Sequence, residues 1–210
     1  MSDLFLDSSV FFSFVGPARL EPFHGQSVLC FNSETDQRFS GIVVRQEVEA
    51  RVKTRKRLYT ALLRHVQSGG RMGEFPVDEY SRHDAERARA LVNELRGNDA
   101  DLEYLRQILI DVDARVRHAF GRVAIPLAPH CGDAYFEDTL RASIGIQLGD
   151  AKITTDYMYW ASQRENPSTF VSGDRELIRG LLGLGGELLG EKFGAHARNF
   201  VFQELKDFGR

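Results

Sequence analysis

Residues 4–10 read Leu4-Phe5-Leu6-Asp7-Ser8-Ser9-Val10. Three consecutive apolar side chains with no turn former predict a short buried strand, and the change to Asp-Ser-Ser ends it on a carboxylate. An acid at the C-terminal end of a strand lies on the rim of its sheet, where α/β proteins place ligands. The pattern recurs near the other end of the chain, as Thr169-Phe170-Val171-Ser172-Gly173-Asp174. Two further acids open amphipathic stretches: Asp150 in Gly149-Asp150-Ala151-Lys152-Ile153, and Glu47 in Val43-Val44-Arg45-Gln46-Glu47-Val48. Carboxylates gathered on one rim repel one another, and a divalent cation relieves that repulsion.

Working outward, residues 10–15 continue as apolar helix or loop until Pro17 and Pro22 break the chain. Residues 28–31, Val-Leu-Cys-Phe, are compatible with another strand, followed by a polar stretch from Asn32 to Arg38. A long helix is expected from about Gly41 to Gln67, because Val44, Val48, Val52, Tyr59, Leu62 and Val66 keep to one side before Gly69-Gly70. Two more helices are expected over Pro76–Arg96 and from Leu102 to Phe120, separated at Gly97-Asn98. Residues 123–127 read as strand or extended connection, 133–148 and 150–164 as helices, 175–195 as short glycine-broken helices, and 198–205 as a last strand. Helices alternating with few short apolar strands predict a three-layer α/β/α architecture with a mostly parallel central sheet. The pair of helices at about 76–120 reads as a hairpin inserted into a single domain spanning 1–210.

The acidic blocks resemble, in order and identity, those of the PIN family of metal-dependent nucleases. Leu6-Asp7-Ser8-Ser9-Val10 is similar to the family's opening, and Asp150-Ala151-Lys152-Ile153 with Phe170-Val171-Ser172-Gly173-Asp174 to its closing helix and strand. The resemblance covers about residues 3–68 and 130–205 and leaves the middle unexplained. It implies a PIN-like fold and a site of Asp7, Glu47, Asp150 and Asp174 that binds Mg²⁺ or Mn²⁺ and cleaves RNA. Ser8, Ser9 and Ser172 would orient the carboxylates. The second acid is Glu47 if Ser40 caps its helix, and Glu49 if the helix begins at Arg45; the two lie roughly 200° apart around the axis. The family further implies a toxin-type or processing ribonuclease, with an antitoxin or other protein partner and a homodimer among its usual associations.

Composition sets the frame for these readings. With 210 residues, 42% hydrophobic and 27% charged, the chain can bury a core and does not read as disordered. A net charge of −3 argues against indiscriminate nucleic-acid binding without excluding a nuclease whose own site is acidic. Two cysteines, Cys30 and Cys131, do not make a disulfide framework, the N-terminus lacks the pattern of a signal peptide, and no apolar run spans a membrane. Cytoplasm and no membrane partner are the resulting expectations.

Each feature also has a plainer explanation. An Asp after a strand serves as a helix N-cap. The basic run Arg51-Val52-Lys53-Thr54-Arg55-Lys56-Arg57 could lead an RNA backbone toward the site through Lys53, Arg55 and Lys56, or be a solvated face. Asp156, six residues past Asp150, reads as solvated surface. His24, Cys30, His130 and Cys131 lack zinc-motif spacing and read as buried thiols and surface imidazoles. Two other functions compete with the nuclease. One is a haloacid-dehalogenase-like phosphatase, for which position 9 is Ser where a second Asp belongs. The other is a non-catalytic module binding RNA or protein.

Overall fold

The computed structural model of the chain describes residues 3–76, 86, 89–93, 95, 99–184 and 186–209. Four strands, β1 (Asp3–Leu6), β2 (Gln37–Phe39), β3 (Ser168–Ser172) and β4 (Phe200–Glu204), form one sheet in the order β2-β1-β3-β4. Every pairing is parallel, with Leu4 opposite Arg38 and Thr169, and Phe170 opposite Phe202. Helices connect the strands: α1 (Ser8–Val15), α2 (His24–Asn32), α3 (Ile42–Gln67), α4 (Asp99–Gly121), α5 (Ala134–Ile144), α6 (Leu148–Ser162), α7 (Arg175–Leu182) and α8 (Gly186–Phe193). The chain is therefore an α/β protein built on a four-stranded parallel sheet, an arrangement compatible with three layers. Among the described residues, no helix is long and apolar enough to cross a membrane.

The core forms because successive strand residues face opposite ways. Phe5, Phe170 and Phe202 pack against Tyr157 on α6, with ring centroids 5.2–5.8 Å apart, and Phe5 also meets Trp160 at 5.4 Å. Leu4, Leu6 and Val171 alternate with them and are equally buried, so both faces of the sheet are covered. On α1, Phe11 stacks on Phe120 of α4 at 4.5 Å and meets Phe31 of α2 edge-on at 5.2 Å. A second cluster joins Leu58, Tyr59 and Leu62 of α3 to Phe75, Leu91, Leu95 and Leu105.

Several expectations change here. Residues 28–31 belong to helix α2, not a strand: Ser27, Cys30 and Phe31 are the buried positions, at helical spacing, while Leu29 is exposed. The strand lies instead in the polar stretch, at Gln37–Phe39, where the buried Arg38 donates hydrogen bonds to the carbonyls of Phe31, Ser33 and Asp36. Ser40 does not cap α3. Gly41 is the N-cap, and Ser40 Oγ donates to Leu6 O at 2.9 Å, tying β2 to the end of β1. Residues 123–128 form no strand but a bent connection beside the end of β2, with Ala124 N donating to Arg38 O (2.7 Å), Ala128 N to Ser40 O (2.9 Å) and one isolated bridge between Gly41 and Ala128. Of the expected Pro76–Arg96 helix, residues 86 and 89–93 are helical and the Gly97-Asn98 break lies outside the described residues. α4 packs on α1 and α3 as a helix and contributes no strand.

Tyr157 is the anchor between α6 and the sheet. Its hydroxyl bridges the β3–β4 ladder, accepting from Val201 N at 3.0 Å and contacting Ser168 O at 2.5 Å, in a fully buried position. Removing that oxygen strands buried backbone groups, so Tyr157→Phe should cost about 1–3 kcal/mol. The check is a urea titration, in which the midpoint falls while the slope stays unchanged.

Candidate active site

Topology brings the four acids together. α1, α3 and α7 each begin where a strand ends, at the C-terminal rim of the sheet. α6 runs back from that rim to feed β3, so its first turn also lies there. Asp7 is the N-cap of α1 and Asp174 the N-cap of α7, accepting from Ser9 N (3.4 Å) and Leu177 N (3.0 Å). Asp150 is in the first turn of α6, and Glu47 lies in the second turn of α3. All four line one cleft of about 450 Å³, together with Ser8, Ser9, Phe12, Arg51 and Arg55. Capping and clustering are thus the same arrangement: the helix N-termini that the acids cap carry partial positive charge, which offsets part of their repulsion.

The serines fix the geometry. Asp7 Oδ2 accepts from Ser9 Oγ at 2.6 Å and from Ser172 Oγ at 2.7 Å. The same two hydroxyls accept from Gly173 N (2.8 Å) and Asp174 N (3.0 Å), so each passes a hydrogen bond from the β3–α7 turn to Asp7. Asp7 is only 3% exposed, yet its other oxygen, Oδ1, has no hydrogen-bond partner. A buried, unpartnered carboxylate oxygen is costly, and an N-cap does not account for it. An oxygen-rich donor set with one free, buried oxygen fits a hard divalent cation such as Mg²⁺ or Mn²⁺.

The charges are felt across the cleft. Asp150 is pushed up to about 7, first by burial and then by the charges of Asp7, Glu47 and Asp174. Glu47 is raised by burial and by Asp7, against the opposing pull of Arg51 and Ser8. Arg51 stands 3.1 Å from Glu47, one helical turn on. Glu49 lies on another face, exposed and paired to Arg45 at 2.8 Å, so only Glu47 belongs to this cleft.

The basic run divides. Arg55 lines the acidic cleft but is buried, 3.4 Å from Glu21. Lys53 and Lys56 face a separate groove of about 690 Å³ between α3 and α4, where Lys56 pairs with Asp113 at 2.5 Å. Arg51, not singled out among the substrate contacts, takes the place at the cleft; its spacing of four from Glu47 was the available signal. Asp156 is 1% exposed, because α6 is covered by the 128–133 loop on the side expected to face solvent. Comparison with family models, curated proteins and solved structures finds no match to this chain.

Asp150 gives a pH signature. A carboxyl that keeps its proton to about pH 7 when folded, but releases it near 4 when unfolded, binds more protons in the folded state between those values. Stability without added metal should therefore fall as pH rises from about 4 to about 7, then level off. Thermal melts of wild type and Asp150→Asn across this range should show a shallower slope in the variant.

Proposed function

We propose that this chain is a PIN-like ribonuclease that hydrolyses RNA phosphodiester bonds with Mg²⁺ or Mn²⁺ in the acidic cleft. The observation that carries the reading is the buried, unpartnered Oδ1 of Asp7 among carboxylates drawn from four distant segments of the chain. The sequence blocks that resemble the PIN family contribute these same residues, which supports the family reading independently of the cleft's shape. Asp7, Asp150 and Asp174, with Glu47, would hold the cation, which when bound supplies charge neutralisation at the phosphate and acidifies water.

The chain's own residues do the positioning. Ser9 and Ser172 lock the Asp7 carboxylate in one rotamer by occupying Oδ2, which leaves Oδ1 aimed by default. Asp150, crowded by burial and by the charges of Asp7, Glu47 and Asp174, is the carboxylate that would gain most from a cation's positive charge. Arg51, 40% exposed and at the cleft's edge, can meet a phosphate oxygen once a cation offsets its pairing with Glu47. Against a phosphatase of the dehalogenase type, the Ser9 side chain that donates to Asp7 stands where such an enzyme has its second acid.

Asp7→Asn should fold and lose about two or more orders of magnitude in cleavage of unstructured RNA with Mn²⁺. Its melting temperature without metal should rise, by about 2–4 °C for each kcal/mol of repulsion relieved. Added Mn²⁺ should stabilise the wild type and affect the variant much less. Cleavage that survives the substitution, with equal metal responses in both proteins, would leave a non-catalytic binding module as the better account.

A further inference from the structure

A second cluster lies about 9 Å further along α6 from Asp150, counted at the helical rise. Asp156 Oδ1 accepts from Cys131 N at 2.8 Å and from His130 Nδ1 at 3.0 Å; a carboxylate can only accept, so Nδ1 is the donor. That leaves Nε2 of His130 facing Glu137 Oε1 at 3.4 Å. Glu137 is 3% exposed and its Oε1 accepts no hydrogen bond, and the Oδ2 of the buried Asp156 accepts none either. Ligand atoms of His130, Cys131 and Glu137 lie within 4.8 Å of one another. Gly132, at φ +70°, turns the chain in the left-handed region just after these two residues and brings it to Asp133, the N-cap of α5.

We infer that His130 Nε2, Cys131 Sγ and Glu137 form a site for zinc, with Asp156 as the carboxylate that orients the imidazole. The pattern of a metal-binding histidine whose other ring nitrogen donates to a carboxylate recurs in zinc proteins. One nitrogen, one sulfur and one carboxylate oxygen suit zinc, and reject Mg²⁺, which avoids thiolates. Tetrahedral ligands at zinc distances stand about 3.3–3.8 Å apart, so the three donors, within 4.8 Å of one another, need to draw in by about 1.5 Å at most. Two of the three residues are exposed at the surface, so an ion can enter. Binding replaces the thiol proton: the sulfur–hydrogen bond is lost, the proton leaves to solvent, and the thiolate forms the bond to the metal with no change of oxidation state. The site would pin the 128–133 loop to α5 and α6 and is separate from the acidic cleft, whose residues it does not share.

Cobalt(II) is the probe, because thiolate ligation gives a near-ultraviolet charge-transfer band that oxygen ligands do not. The chelator-treated 210-residue chain should develop this band with one equivalent of Co²⁺, and one equivalent of Zn²⁺ should abolish it. Cys131→Ser should lose the band, and Glu137→Gln should bind Co²⁺ more weakly. Asp156→Asn should keep the band with affinity lowered about 10- to 100-fold. Asp7→Asn should keep both the band and the affinity, which separates this site from the cleft. Cys30 is fully buried and serves as the internal control. Absence of the band in the wild type, or its persistence in Cys131→Ser, would overturn the assignment and leave His130 as an ion-pair partner of the two carboxylates.

Discussion

The parallel direction of the sheet is the constraint on which everything else depends. Because all four strands point the same way, each helix that follows a strand starts on one rim, and the helix that returns to β3 starts there too. Four positive helix ends therefore meet at the mouth of the sheet, and acidic side chains are the natural residues to place there. The chain uses more acids than capping needs. Asp7 and Asp174 cap, but Asp150 and Glu47 add charge that burial and mutual repulsion make uncomfortable without a counter-ion. A cleft that holds such tension without relief is unstable in isolation and suited to a ligand of opposite charge.

Order within the cleft comes from hydroxyls rather than from ion pairs. Ser9 and Ser172 come from opposite ends of the sequence, stand 3.2 Å apart, and converge on one oxygen of Asp7. They connect the first helix to the β3–α7 turn through hydrogen bonds of 2.6–3.0 Å. The arginines lie further out, on the face of α3 that carries Glu47, and both rest on the Phe12 ring at 5.1–5.2 Å. Phe12 thus supports two long side chains along the cleft wall, where each still meets an acid, Arg51 with Glu47 at 3.1 Å and Arg55 with Glu21 at 3.4 Å.

Much of this was legible in the sequence because strands β1 and β3 are short apolar runs ending in acids, and the long helices keep an apolar stripe. Glu47 could be told from Glu49 only once the start of α3 was known, and the expected Ser40 cap did not set it: Gly41 did. The α2 segment misled because Leu29, the most apolar-looking member of its run, faces solvent, while the polar Ser27 takes the inward position. β2 was hidden for the opposite reason. Its central residue is an arginine whose burial is tolerated because three carbonyls receive its guanidinium, and no periodicity rule counts such a residue as core. Asp156 and Glu137 escaped because helical spacing shows which residues share a face, not which loop comes to cover it.

The connection at 123–128 has an architectural consequence. Ile42 N donates to Ala128 O at 2.9 Å, so the chain leaves β2 for α3 and comes back from α4 at the same spot, with Gly41 beside Ala128. Near this point Val44, Val48, Val52, Val112 and Ala119 belong to the main core, whereas Leu58, Leu62 and Leu105 further out form the second cluster, a lobe of its own. Since the entropy of closing a loop grows only with the logarithm of its length, the chain around this second cluster can be lengthened or shortened at little cost to the sheet. Evolution is therefore free to reshape that lobe, and whatever it touches, while the rim and its acids stay as they are.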